Sequence, residues 1–419
     1  MTADPRDVAD VLVVGAGPAG SAAAILFADA GLRVRLLERE RLPRFKPCGD
    51  FLSPEATGIL RRLGVEPAVV AAGARKLRGL LVSAGGGPPL RADFDGAGGF
   101  GYALERSRLD AVLAERARGA GAEVLEGWLV ERLGPDASHQ RSDTATRTLR
   151  VRTPAGEPLE LRARLVVGAG GRHCPVARDL GLRLPFRGER RVDLLAHWSV
   201  PRDADPYCEM HVVGPGYVGT AAAGRNLVNA NAVVPASWIR ARRAEHRRAG
   251  RELRRRLYRE VLGAAAPVVR TLRGGAPVYD PVASDVTPLE TSRATAAGVL
   301  LAGDSALFLD PFTGQGIYLA LRSAELAAEI GSEALRDAGP TAARLAPYDE
   351  RRRSEFGPKA ALSRVLQALL GRPWLARRVA GTLRRDLRGA ERLVGAIGDY
   401  RPAADLLRRD FLVRLMAAA

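Results

Sequence analysis

The run Gly15-Ala16-Gly17-Pro18-Ala19-Gly20 is the first stretch of the chain whose residue types and spacing can do chemistry. A G-x-G-x-x-G run alone says little. Here it follows an apolar strand over residues 10–14, opens a helix over residues 21–30, and is followed by Glu38 at the end of a strand over residues 34–38. In that setting the first glycine permits a tight turn and the second lets backbone approach a pyrophosphate. The third lets helix and strand pack closely. Free N–H groups at the helix start face the phosphates, and Glu38 accepts hydrogen bonds from an adenosine ribose. The pattern predicts a dinucleotide site formed by Gly15, Gly17, Pro18, Ala19, Gly20 and Glu38, with Arg39 beside them.

That turn is shared by NAD and FAD sites. A second segment separates them: Gly303-Asp304-Ser305-Ala306 after a strand at 299–302, then Asp310-Pro311-Phe312-Thr313-Gly314-Gln315-Gly316-Ile317 at the mouth of a helix over 313–335. Gly303 ends the strand and aims Asp304 at a ribityl or pyrophosphate group. The loop carrying Pro311, Gly314, Gln315, Gly316 and Ile317 turns helix N–H groups toward the pyrimidine edge of an isoalloxazine, where negative charge collects on reduction. FAD is the predicted cofactor.

In the order of these motifs, over roughly residues 8–335, the chain resembles the geranylgeranyl reductase family of FAD-dependent oxidoreductases. That family has the p-hydroxybenzoate hydroxylase-type fold of the glutathione-reductase-type FAD superfamily. The carrying residues are the N-terminal glycines with Glu38, then Lys46-Pro47-Cys48-Gly49-Asp50 with Leu52-Ser53-Pro54. Arg106 with Leu109-Asp110, and Gly303 through Ile317, complete the set. The resemblance implies that Cys48, Gly49 and Asp50 border the flavin, that Arg106 pairs with the pyrophosphate, and that Val130 lies beside the adenine.

Two catalytic candidates follow. Cys48 either positions or delivers a proton at the reaction pocket, or is a small apolar lining residue. Tyr217 is what is left of the family's Y-x-W-x-F-P cavity strand, at Gly216-Tyr217-Val218-Gly219-Thr220-Ala221, a departure that bears on a polyprenyl substrate. The hydroxylase-type Asp-Gly signature falls at Gly168-Ala169-Gly170-Gly171-Arg172, where Gly170 replaces the acid. The family's common Asn-Gly-Glu-Gly-Ile reads Thr313-Gly314-Gln315-Gly316-Ile317. A halogenase W-x-W-x-I-P signature is matched only by His197-Trp198-Ser199-Val200-Pro201, and Lys76, like Lys46, reads as a surface lysine. His197 reads as a core or rim histidine, with an acid–base role as the alternative. Cys208 and His211 lack a second ligand pair, so no metal site is predicted.

The expected reaction is hydride transfer between flavin N5 and a carbon–carbon double bond of a small apolar metabolite (isoprenoid, quinone or polyketide-like), with NAD(P)H as electron donor. The alternatives are FAD-dependent hydroxylation, halogenation, and a flavin-bound non-redox protein.

These residues need an α/β fold: a Rossmann-like parallel sheet interleaved with an α+β antiparallel-sheet substrate domain and a C-terminal helical segment. The expected division is 1–79, 100–180 and 285–340 for the FAD domain, 80–99 and 181–284 for the substrate domain, and 341–419 for the helices. Residues 134–147 read as an exposed hairpin loop and 237–262 as one arginine-rich helix with a Leu253, Leu257, Val261 stripe. That helix is expected to pack on a sheet, with a peripheral membrane contact as its second reading. The amphipathic stretch through Leu362, Val365, Leu366, Leu369 and Leu370 is expected to cap the substrate lobe or to pack on a partner, with lipid contact as the second reading. With 419 residues and 47% hydrophobic content the chain can bury such a core. The net charge of +17 is nearly all arginine, the lysines being Lys46, Lys76 and Lys359, and no nucleic-acid module is visible. Cys48, Cys174 and Cys208 form no disulfide framework and fit a reducing cytoplasm. Asp4, Arg6, Asp7 and Asp10 precede the first apolar run, unlike a signal peptide. No apolar run reaches membrane-spanning length. Oligomeric state is not legible.

Overall fold

The computed structural model describes residues 7–84, 88–94, 99–134, 146–245 and 250–408. Its first sheet is built on Ala9–Val14, which pairs in parallel with Val34–Glu38 on one side and Pro158–Gly168 on the other. Glu123–Glu126 and Val299–Leu301 extend it in parallel at either side. Val11, Leu12, Val13, Leu36, Leu165, Val166 and Leu300 are almost completely buried, as continuous apolar strands covered on both faces must be. The chain leaves Val14 toward one side of the sheet and returns on the other. This topological switch point brings the ends of Val14, Glu38, Gly168 and Leu301 to one edge.

The second sheet has the strand order Ala276–Pro277, Arg191–Ser199, Leu227–Pro235, Gly216–Gly224, Tyr207–Val213, Gly79–Ala84, Leu90–Asp93. It is antiparallel except where Tyr207–Val213 runs parallel to Gly79–Ala84. Against one face lies the helix Gly250–Gly263, whose Leu253, Leu257 and Val261 pack with Val218, Ala230 and Ala232. Of the arginine-rich stretch the structure describes helix at Ala236–Glu245 and at Gly250–Gly263, and residues 246–249 lie outside the described residues. On these helices Arg255 pairs with Asp280 at 2.6 Å and Arg242 with Glu260 at 3.1 Å, while Arg254 is half-buried with its Nε enclosed.

The helix Gly316–Arg336 packs on the first helix, Pro18–Asp29, and three further helices follow: Ala342–Leu370, Pro373–Arg385 and Leu387–Ile397. Residues 135–145 of the expected hairpin loop lie outside the described residues. Among the described residues no helix is long and apolar enough to cross a membrane.

Candidate active site

The dinucleotide turn sits at the switch-point edge. Gly15 has φ +97°, and a Cβ there would lie 2.8 Å from the Ala169 carbonyl oxygen. A Cβ on Gly20 would lie 1.8 Å from the Gly15 oxygen, so this glycine is demanded by helix–strand packing. Gly17 differs: its added Cβ would meet only the Arg106 guanidinium, at 3.7 Å. Gly17 caps the first helix with no side-chain hydrogen bond, which leaves the helix N–H groups open to a ligand. Glu38 is buried, accepting from Ala16 N at 2.9 Å and Arg44 at 2.9 Å through Oε2, and from Glu40 N at 3.2 Å through Oε1. The Arg44 contact and these N–H donors hold its carboxyl below the usual range although burial pushes it up. A carboxylate has about four acceptor sites, so a ribose hydroxyl can still be received.

From Glu38 a line of buried charges crosses the groove. Arg44 bridges Glu38 and Asp110 (2.8 Å), and Arg106 grips Asp110 with Nε and Nη2 at 3.0 Å each. The Arg106 backbone N–H donates to Asp50 Oδ1 at 3.1 Å, and its guanidinium reaches the Cys48 sulfur. Asp50 has φ +58° and is completely enclosed. Its Oδ2 lies 2.6 Å from His197 Nε2 and 2.6 Å from Asn229 Nδ2, and His197 Nδ1 lies 2.6 Å from the Tyr279 hydroxyl. Asn229 Nδ2 also donates to the Cys48 carbonyl at 2.7 Å. Burial pushes the Cys48 thiol up, against the pull of Arg106. Lys46 and Asp304 share this groove with Arg106 and Arg172. Burial lowers the solvent-reachable Lys46 ammonium, helped by the neighbouring cations, and raises Asp304.

At the far side, Gly303 has φ +59° and places Asp304 in a short 3-10 turn. Asp310 accepts from Phe312 N at 3.0 Å, closing the Pro311–Thr313 turn, and Gly314 has φ +65°. The helix Gly316–Arg336 has no side-chain cap, and a Cβ on Gly316 would meet nothing within 4 Å. Two uncapped helix mouths, an open glycine face and a cationic groove fit a dinucleotide that carries a flavin at one end.

Beside Thr313 and Gly314 opens an apolar cavity of about 80 Å³ that is partly open to solvent. Cys208, Met210 and Val212 supply one wall, at alternate positions of their strand, and Phe51 and Phe312 the end nearest the flavin loop. Leu370, Leu383, Leu393 and Ile397 close it from the C-terminal helices.

The family model for the FAD binding domain matches residues 8–359. The chain belongs to that family. Menaquinone reductase of Mycobacterium tuberculosis is 31% identical over 77% of this chain and 76% of its own length. Digeranylgeranylglycerophospholipid reductase of Methanothrix thermoacetophila is 30% identical over 84% and 85%. Tryptophan 2-halogenase of Chondromyces crocatus is 28% identical over 76% and 60%. A geranylgeranyl bacteriochlorophyll reductase-like structure from Thermoplasma acidophilum superposes with TM-score 0.72 at 23% identity, covering 98% and 96%. A flavoprotein/dehydrogenase from Cytophaga hutchinsonii gives TM-score 0.81 at 20% identity, covering 97% of each chain. These two likenesses show the fold. The chain is an FAD-dependent oxidoreductase with geranylgeranyl reductase relatives.

Within this flavoprotein the expected site residues divide. Gly15, Gly17, Pro18, Ala19, Gly20, Glu38, Arg106, Gly303, Asp304 and Gly316 gather around one groove, with Cys48, Gly49 and Asp50 across it. Arg39 is 66% exposed at the rim, 3.5 Å from Glu40. Val130 is buried in the Leu129–Leu133 strand, paired with Val151. Tyr217 does not line the apolar cavity: its ring packs edge-on to Phe312 at 5.1 Å and its hydroxyl donates to Asp310 at 2.7 Å. It braces the flavin loop: it sits opposite Val212 and so shares the sheet face that walls the cavity, but it is buried against Phe312, which lines the opening in its place. The Gln315 side chain also points away, donating to Ala396 O at 2.8 Å and Asp399 at 2.7 Å. Ile317 is buried in the helix core. Lys76 is exposed with its ammonium 3.6 Å over the Phe100 ring. His211 is buried between Ser83 (2.8 Å) and Glu209 (2.7 Å), while Cys208 faces the cavity on the other side; no metal-ligating cluster occurs among the described residues.

Arg44, Asn229, Asn231 and Tyr279 were not anticipated. The signal for the asparagines was present: Asn229 and Asn231 alternate with Ala230 and Ala232 on a strand otherwise fit for burial, so both face one side.

Two expectations follow. Arg106→Lys keeps the charge but loses the planar fork. It should weaken FAD retention by roughly 5–30-fold, about 1–2 kcal/mol, with little loss of fold, read by flavin fluorescence titration. Asp50 holds the His197 imidazolium above its ordinary value of 6.5 although burial opposes it. The stability this pair contributes is fully present below that value and fades as pH rises through the raised folded one. His197→Gln should flatten that part of the melting-temperature profile.

Proposed function

We propose that this flavoprotein transfers hydride between FAD and a carbon–carbon double bond of an apolar metabolite, an isoprenoid, quinone or polyketide-like molecule, with NAD(P)H as the electron donor. The observation that carries this reading is the apolar cavity ending on Phe312, Thr313 and Gly314 at the mouth of the Gly316–Arg336 helix. The names of the two reductase relatives support it. FAD bound in the groove supplies a two-electron hydride centre at N5.

The chain's own residues do the rest. The uncapped first helix and Arg106 hold the phosphates. The helix N-terminus at Gly316 stabilises negative charge on the pyrimidine edge. The leucines of the C-terminal helices exclude water from the substrate. Cys48, kept as a thiol by burial, holds a proton at Sγ for the carbon next to the one receiving hydride. The arginine-bearing outer faces of the C-terminal helices are a proposed contact with a membrane surface, where such a substrate would reside.

The test is anaerobic: NADPH should bleach the flavin absorbance, and an apolar enone or quinone should restore it with formation of reduced product. Product formation that strictly consumes oxygen would replace the reductase reading by hydroxylation.

A further inference from the structure

We infer that His197, acting through Asp50, sets the protonation of the Cys48 thiol, and that Tyr279 is the end of this chain open to water. This deepens the reading of Cys48 as the pocket thiol and rests on it, but its test reads thiol ionisation and needs no substrate.

Three groups in line make the connection. The Tyr279 hydroxyl is 2.6 Å from His197 Nδ1, and His197 Nε2 is 2.6 Å from Asp50 Oδ2. Asp50 N–H donates to the Cys48 sulfur at 3.4 Å. An ionised carboxylate only accepts, so Nε2 carries the hydrogen toward Asp50 in either charge state. Nδ1 then accepts from Tyr279 when neutral and donates to it when protonated. The pair is not open to flipping: Asn229, paired with His197 across the sheet, ties Asp50 Oδ2 and the Cys48 carbonyl to the same strand. The charged groups facing the imidazole are Asp50 and, farther off, Glu105, with Tyr279 as the remaining titratable neighbour. Those acting on Cys48 are Arg106, which favours the thiolate, and Asp50, which disfavours it. His197 is therefore the only described cation that touches Asp50 through a side chain, and its charge decides how much of the Asp50 repulsion Cys48 feels.

The outer end reaches water. Tyr279 is half-buried and packs edge-on against Phe45 at 5.3 Å, which is itself 49% exposed. The imidazole can thus exchange its proton with solvent without the flavin groove opening. His197 is a positioning residue in this arrangement; it touches neither the groove nor the cavity.

The experiment is the pH dependence of Cys48 alkylation by iodoacetamide, followed by mass spectrometry of the Cys48 peptide in FAD-free and FAD-loaded protein. Cys174 and Cys208 are read separately on their own peptides. In the native protein the rate should rise with pH as the thiolate forms, but with a second inflection where His197 loses its proton and leaves Asp50 uncompensated. His197→Gln should abolish that inflection and slow alkylation near neutrality by roughly 3–10-fold, half to one unit of thiol pKa. Tyr279→Phe, which leaves the Asp50 contact intact, should keep the inflection. A native profile described by one titrating group overturns the inference without recourse to any variant. So does an unaltered profile in a His197→Gln protein that still binds FAD. Failure of hydride transfer to any alkene or quinone, with the inflection present, would sink the reductase reading and leave this coupling standing.

Discussion

Alanine at Gly17 is expected to give a stable protein that purifies without flavin, whereas alanine at Gly20 is expected to damage the fold itself. The two glycines lie three residues apart in one motif, yet their surroundings differ. A methyl on Gly20 would overlap the Gly15 carbonyl at 1.8 Å, and Gly15 cannot retreat, because its own Cβ position is 2.8 Å from Ala169 O. Backbone against backbone has no rotamer to relieve it, and about 3 kcal/mol or more is the expected cost. Gly17 has φ −83°, which any residue adopts, and only the flexible Arg106 side chain lies nearby. Its methyl would stand where a pyrophosphate approaches the helix. Losing one charge-assisted hydrogen bond costs about 1.5–3 kcal/mol, roughly 10–100-fold in affinity. Flavin absorbance per protein and the melting temperature separate the cases. Full flavin content in Gly17→Ala would remove the turn from the cofactor site.

Lys359→Met is expected to loosen the C-terminal helices by about 3–5 kcal/mol, because it strands a buried carboxylate. Asp399, in the left-handed region at φ +69°, has a completely enclosed side chain that Lys359 meets at 2.5 Å. Ser53 and Gln315 add hydrogen bonds at 2.8 and 2.7 Å. One carboxylate therefore joins the turn after the last long helix to the flavin loop and to the start of the Pro54–Arg62 helix. Faster proteolysis within residues 371–408 should report the change, ahead of any loss in the parallel sheet. Asp399→Asn in the same protein should recover most of it, since asparagine tolerates the left-handed region and removes the unpaired charge. Equal loss in single and double variants would show that the ion pair is not what holds these helices.

The cofactor groove was legible in the sequence because its determinants are local. The glycine turn, the acid after the next strand and the second glycine loop each act within one strand–turn–helix unit. Cys48, Asp50 and Arg106 were legible through the resemblance, and the structure gathers them. The side chains behind Asp50 were not, because its partners His197 and Asn229, and Tyr279 beyond His197, come from three strand or loop segments whose register only the folded sheet fixes. A lone polar residue on a strand looks the same whether it meets water or a buried acid. Tyr217 was misplaced for a different reason: the motif located both its strand and its face, but Phe312 comes from a distant loop and takes the place at the cavity wall.

The cavity walls have an uneven origin. Its flavin-side end is made by Phe51, Phe312, Thr313 and Gly314, inside the stretch that matches the FAD binding domain at residues 8–359. Leu366, Leu369, Leu370, Leu383, Leu393 and Ile397 come from beyond that boundary. Selection can therefore redraw the shape of the acceptable molecule by altering the segment that follows that boundary, leaving the electron-carrying half untouched. Chimaeras that exchange only the segment after Lys359 should inherit the donor's substrate preference together with the recipient's flavin chemistry.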